Sequence, residues 1–215
     1  MRPSSSAVLV LLLLLSNVAS AQAAALQVLR SPDRRIEVRI DLGDRIRYSV
    51  LADSQALVQD ATLGLQIDQA TLGVLPKLTA AKASSVDQEI EPVVRQKAAK
   101  LRERYNQLRL DLRGGYAVVF RAYDEGVAYR FETALPRAEV KIHGEEVGLN
   151  FAGDYAVYYP KEESFFSHNE REFVHLPLNQ VAPGDLASLP AVVEARDGIK
   201  VAIASTAPTG ELRSR

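Results

Sequence analysis

The chain has 215 residues, of which 47% are hydrophobic and 25% charged, with a formal net charge of -1, the balance of a folded globular protein. That charge gives no electrostatic case for nucleic acid or an acidic membrane surface as partner. Cysteine is absent, which removes thiol nucleophiles, iron–sulfur clusters, cysteine-ligated zinc and disulfides from consideration.

Met1-Arg2, an apolar run over residues 7–15 and Ala19-Ser20-Ala21 have the three-part form of a secretory signal. Residues 1–21 are therefore expected to be a signal peptide, cleaved after Ala21 or, as second choice, after Ala23. The apolar run is shorter than the about 20 residues a spanning helix needs. The mature chain is expected to be exported, periplasmic or extracellular, without a membrane span.

Residues 26–30 form an expected edge strand, and Ser31-Pro32-Asp33 a turn. Residues 36–42 and 46–51 alternate apolar and polar about Gly43-Asp44, the pattern of an antiparallel hairpin. Further strands are expected at 57–58 and 63–67. Residues 69–82 read as a loop with buried anchors (Leu72, Val74, Leu75, Leu78) or as a helical turn. Residues 86–94 are expected to be extended. The stretch 95–104 carries five basic residues against one acid, either a basic patch or a solvated face. Alternation resumes over 105–112, and Gly114-Gly115 turns the chain.

Residues 116–132 form the clearest stretch, two alternating runs about Asp124-Glu125-Gly126. Tyr116, Val118, Phe120 and Ala122 share one face; Val127, Tyr129 and Phe131 share another. The Asp-x-Gly predicts a hairpin turn in which Gly126 takes positive φ. Arg121, Asp124 and Arg130 point outward, as solvated charges or as hydrogen-bonding groups. Short runs follow at 139–142, 146–151 and 155–159. Over 160–184 alternation stops, predicting a long irregular polar and aromatic loop, a common place for function. Strands at 191–195 and 200–205 hinge on Asp197-Gly198, and residues 206–215 form a polar tail. No helical period persists, so the fold class is all-β, a large antiparallel β-sandwich of two facing sheets.

Chemistry is sparsely marked. There is no Gly-rich phosphate loop, no His-Glu-x-x-His and no Gly-x-Ser-x-Gly. His168 and His175 lie in the irregular stretch with Asn169, Glu170 and Glu172, a set that either binds a metal through oxygen and imidazole or simply hydrogen-bonds the loop. Asp124, Glu125, Glu162, Glu163, Glu170 and Glu172 are candidates by type for a glycosidase carboxylate pair, whose defining separation a sequence does not give.

The order of Ser31-Pro32-Asp33, Arg104-Tyr105-Asn106-Gln107-Leu108, the run from Arg121 to Arg130 and Glu163-Ser164-Phe165-Phe166-Ser167-His168-Asn169-Glu170 resembles the N-terminal domain of glycoside hydrolase family 97. These are exported α-glucosidases and α-galactosidases. The resemblance covers residues 26–205. It implies a β-sandwich of the galactose-mutarotase and carbohydrate-binding superfamily, packed on a (β/α)₈ catalytic barrel. It implies calcium near the substrate, with Glu170 as the glutamate this domain lends to that ion and to substrate, and His168 and Asn169 as substrate-binding neighbours. Arg121, Asp124 and Arg130 then read as a hydrogen-bonded structural set near the turn. No strand–helix alternation of a barrel is present, so no catalytic residue is assigned and the chain is expected to be a truncated or frame-shifted fragment, inactive alone. The alternative is a stand-alone exported β-sandwich that binds carbohydrate or a protein partner. Exposed aromatic rings at Phe165, Phe166 and Phe173 are expected where the barrel would dock.

Overall fold

The structure is a computed structural model that describes residues 26–68, 70–93, 98–136, 139–166 and 170–205. The expected signal peptide over 1–21, the tail over 206–215, His168 and Asn169 lie outside the described residues. Fifteen strands run in chain order: β1 (Gln27–Arg30), β2 (Ile36–Leu42), β3 (Ile46–Ala52), β4 (Gln55–Ile67), β5 (Ala70–Leu72), β6 (Leu78–Ile90), β7 (Leu101–Leu112), β8 (Tyr116–Tyr123), β9 (Val127–Thr133), β10 (Ile142–Gly148), β11 (Ala156–Glu162), β12 (Phe173–Pro177), β13 (Leu186–Ala187), β14 (Ala191–Glu194) and β15 (Lys200–Ile203). They make three sheets: β1-β2-β3-β4-β10 with β5 on β4, β6-β7-β8-β9, and β12-β11-β14-β15 with β13 on β11. The pairings between them are antiparallel.

The first two sheets face each other because their alternation puts one apolar row inward on each. Val38, Ile40, Ile46 and Leu63 of the first sheet meet Leu110, Val118 and Phe120 of the second, each at most 1% exposed. Burial of such side chains stabilises by about 1.5–3 kcal/mol each. Aromatic rings that enter this core bring a polar tip. Tyr129 donates its hydroxyl to Glu145 at 2.7 Å, and burial pushes the Tyr48 phenol up to about 12, so both stay neutral. The third sheet has its own small core of Val157, Tyr159, Ala191 and Val193; Phe151, Tyr155 and Val201 pack against both cores. Arg196 Nη2 reaches back to the Ala56 carbonyl at 3.2 Å. Two facing sheets therefore make the expected β-sandwich, and among the described residues a third sheet packs beside it.

Local expectations fare unevenly. The 36–42/46–51 hairpin and the β8–β9 hairpin form as read, and Tyr116, Val118, Phe120 and Ala122 are all buried. The strands expected at 57–58 and 63–67 are one continuous β4: Asp60 takes φ 48°, its amide donates to Ser49 Oγ at 3.1 Å, and β3 shifts register opposite, so a bulge carries the polar middle. Of the four anchors expected in 69–82, Leu72 is buried; Val74, Leu75 and Leu78 are exposed, and Leu78 already opens β6. In the basic run 95–104, Arg95 and Lys97 lie outside the described residues, while Arg102 of β7 pairs with Asp87 at 2.8 Å and Lys100, just before β7, with Glu89 at 2.6 Å. Gly126 does not take positive φ; the turn closes through Tyr123 N–H on the Gly126 carbonyl at 2.8 Å. Among the described residues no helix is long and apolar enough to cross a membrane.

Candidate functional site

The irregular stretch is shorter than its sequence suggests. β11 continues to Glu162, and β12 begins at Phe173 by pairing with Pro160. Val174 and Leu176 pack on the third-sheet core while their neighbours face outward, an alternation too brief to stand out among polar residues. The true connection is 163–172, and it carries the exposed groups. Phe165 is 60% exposed, Phe166 93% and Phe173 52%, as expected of a docking face. Glu170 and Glu172 are exposed beside them.

The base of this connection is clamped. The Glu162 side chain is 8% exposed and faces Arg171 Nε at 3.5 Å, and it accepts from Ser188 Oγ at 2.8 Å. Arg171 Nη2 lies 3.5 Å from Glu163. Arg171 Nε is buried without an aligned hydrogen bond, so charge attraction holds this side chain more than bond geometry does. On the other side Lys161 pairs with Asp185 at 2.9 Å, and the Tyr159 hydroxyl donates to the same carboxylate at 3.2 Å. The Lys161 ammonium holds the Asp185 carboxyl below its usual range. The connection is thus fixed at both feet. Sequence reasoning missed Arg171 and Ser188 and read Glu162 only as a candidate acid, because nothing in their spacing announces that β11, β12 and β13 bring them together.

Of the histidine pair, His168 lies outside the described residues. His175 sits on β12, stacked on the Tyr158 ring with centroids 3.9 Å apart, and its Nε2 lies 3.4 Å from Glu194. Glu194 also takes Lys200, which holds its carboxyl below the usual range. His143 lies exposed on β10. Among the described residues no three or more His, Asp or Glu side chains gather as a metal-holding group.

Arg121, Asp124 and Arg130 do not form one set. Arg121 lies over the Tyr105 ring at 4.3 Å and donates from Nε to Gln107 at 2.9 Å. Arg130 binds Glu132 on its own strand, which Arg109 also holds. Asp124 reaches another sheet: it accepts the Asp33 amide at 2.8 Å and an Arg104 guanidinium hydrogen at 3.4 Å. Arg121 and Arg130 share a face of the hairpin but sit in different cross-strand pairs, opposite Ala128 and Val119, and each is taken by its own partner.

Comparison with known proteins follows the same lines. The family described as Glycosyl-hydrolase 97 N-terminal matches residues 29–209. A retaining alpha-galactosidase of Bacteroides thetaiotaomicron is 30% identical over 194 residues, 86% of this chain and 29% of that protein. The glycoside hydrolase family 97 enzyme of Pseudoalteromonas sp. strain K8, solved in complex with acarbose, superposes with TM-score 0.70 at 20% identity, over 81% of this chain and 27% of that one. A beta-arabinopyranosidase structure gives TM-score 0.70 at 20% identity, over 85% and 32%. The chain therefore spans about a third or less of each relative's length.

Proposed function

The chain belongs to the glycosyl-hydrolase 97 N-terminal family, and on that premise we propose that it is the carbohydrate-binding, non-catalytic part of an exported α-glycosidase. The observation that carries this reading is the 163–172 connection, on which Phe165, Phe166 and Glu170 are each exposed, as is Phe173 where β12 begins, above a clamped base. Exposed rings beside a carboxylate suit both a sugar face and an apposed protein domain. The occupant of the aromatic face is a (β/α)₈ catalytic domain, and the sugar is an oligosaccharide or α-glycoside met by Glu170 with His168 and Asn169. Three of the six acids that the sequence offered for hydrolysis are otherwise engaged: Glu162 and Glu163 with Arg171, Asp124 with Asp33 and Arg104. Export rests on the signal-like residues 1–21.

Calcium is the ion Glu170 would meet, because a carboxylate suits a hard cation that takes about 6–8 oxygens. The described residues do not complete such a shell. Glu170 therefore offers one carboxylate to a site that other groups must finish.

The test uses the purified chain with calcium and p-nitrophenyl α-glucoside or α-galactoside. No turnover is expected, with amide shifts at Glu170 and Phe173 on adding the glycosides. Turnover by this chain would overturn the non-catalytic reading; shifts elsewhere only, or none, would overturn the sugar assignment.

A further inference from the structure

A cleft of about 560 Å³ opens at one end of the main sandwich, between β5, the β7–β8 turn and the segment after β9. Its floor is the core itself: Ile67, Leu72 and Tyr116 line it, each at most 8% exposed. Its size falls in the range of small-molecule sites, about 300–1,000 Å³.

Three features set it apart from an ordinary gap between sheets. The first is strain. Leu75 lines the cleft at φ 45° and is 68% exposed, a conformation that branched apolar side chains avoid. Its amide is pinned by the Asp44 carbonyl at 2.8 Å, so the fold holds an apolar side chain in the left-handed region at a rim where water would otherwise meet a polar turn residue. Such strain gathers at ligand clamps. The second is charge. Lys77 and Arg113 both line the cleft, and the Arg113 amide donates to the Lys77 carbonyl at 2.9 Å, which makes the two residues backbone neighbours. Among the described residues neither pairs with an acid, while Lys82 and Arg109, close to them in the chain, both pair with Asp111. Asp68 is the acid among the lining residues. The third is a donor. The Tyr116 hydroxyl accepts the Gly73 amide at 3.2 Å, which leaves its own proton for a ligand oxygen; burial raises its pKa, so that proton stays in place.

We propose that this cleft binds an amphipathic anion, with its apolar body between Ile67, Leu72, Leu75 and Leu135 and its anionic head held by Lys77 and Arg113. A neutral ligand would leave both cations without a partner, and a purely ionic one would leave the apolar floor and Leu75 wet. The proposal does not depend on the sugar reading of the 163–172 connection, which belongs to another sheet.

The test titrates the purified chain, below micelle-forming concentrations, with octanoate, octyl phosphate, octyl β-glucoside and acetate, followed by amide shifts and calorimetry. Saturable binding of octanoate or octyl phosphate is expected, with shifts at Leu75, Lys77 and Leu135; the tighter of the two distinguishes a carboxylate from a phosphate-ester head. Acetate and octyl β-glucoside should bind at least about tenfold more weakly, a difference of one decade in Kd. The doubly substituted Lys77→Gln/Arg113→Gln chain and Leu75→Asp should each weaken octanoate at least about tenfold. All three positions are exposed, so folding is checked by an unchanged thermal midpoint. Absence of saturation, equal binding of the glucoside or acetate, or equal binding by both variants would each overturn the proposal.

Discussion

Ser31→Ala should destabilise the chain out of proportion to its size. Ser31 is the one buried polar residue among the described residues, at 0% exposure. Its hydroxyl donates to Asp33 Oδ1 at 2.6 Å and accepts the Ile36 amide at 3.0 Å. The substitution leaves that amide without an acceptor in a half-buried setting, where an unmade hydrogen bond costs about 1–3 kcal/mol. Taking about 1.5 kcal/mol, a domain of this size should lose roughly 3–6 °C in Tm. Ser85→Ala is the control: Ser85 donates to Asn106 at 2.6 Å on an exposed strand, and its loss should stay within about 0.5 kcal/mol. Asp33 supplies a second readout. The Ser31 hydrogen bond is the first cause that holds its carboxyl below the ordinary value, followed by the Arg35 amide, so the Asp33 titration followed by NMR should move up in the variant. A depressed folded pKa contributes stability above the unfolded pKa and loses it as pH falls through the folded one. The stability gap between wild type and Ser31→Ala should therefore narrow once pH drops below the ordinary carboxylate range. Equal melting of the Ser31 and Ser85 variants, together with an unmoved Asp33, would refute the reasoning.

Two glycines should behave oppositely. Gly73 has φ 94° and an added Cβ would lie 2.6 Å from the Leu63 carbonyl oxygen, so Gly73→Ala should cost at least about 2 kcal/mol in urea unfolding, whereas Gly126→Ala, with nothing within 4 Å, should stay within about 0.5 kcal/mol; similar losses would contradict both backbone assignments. Arginine and lysine partners hold Glu37, Asp53, Asp87, Asp111 and Glu132 below their usual range, so the urea midpoint should be level from pH 7 to about 5 and fall below about 4; a midpoint that rises on acidification would reverse the sign. Phe166 is 93% exposed, so sedimentation at high concentration should show self-association that Phe166→Ser lowers without shifting Tm; a wild-type chain that stays monomeric, or a variant that associates equally, would remove the docking face.

Legibility in the sequence followed burial. β2, β3, β8 and β9 each place one face on the core, so their period of two is visible in residue type alone. β6 is wet on both sides along most of its length, so Leu-Thr-Ala-Ala-Lys-Ala-Ser-Ser carries no alternation to read, and its existence depends on twelve residues of pairing with β7. β12 has five residues, too few to show a pattern. Gly126 misled because Asp-x-Gly is a frequent hairpin signal; in this turn the Asp124 side chain is committed to Asp33 in another sheet, and the backbone closes without a left-handed glycine. At the candidate site residue type made Glu170 one acid among several and the resemblance singled it out, while the clamp at the base of its loop was not legible, since Glu162, Arg171 and Ser188 meet only after three strands have paired.

The runs that mark the family most strongly turn out to touch one another. Asp33 of the β1–β2 turn is bound by Asp124 of the β8–β9 turn, Arg104 of β7 pairs with the same Asp124, and Asn106 Nδ2 donates to the Arg30 carbonyl at 2.8 Å. This junction fixes where the edge of the first sheet sits on the second. Backbone groups at such a seam need partners of one length and polarity, so the residue choice is narrow whatever the protein binds. Glu170 is under the opposite regime. It is exposed, its loop is held from below by other residues, and no local structural need specifies a glutamate there. Distinctive sequence at the junction therefore reports assembly of the scaffold. On the proposed reading, a ligand or a partner domain is the reason for the Glu170 carboxylate.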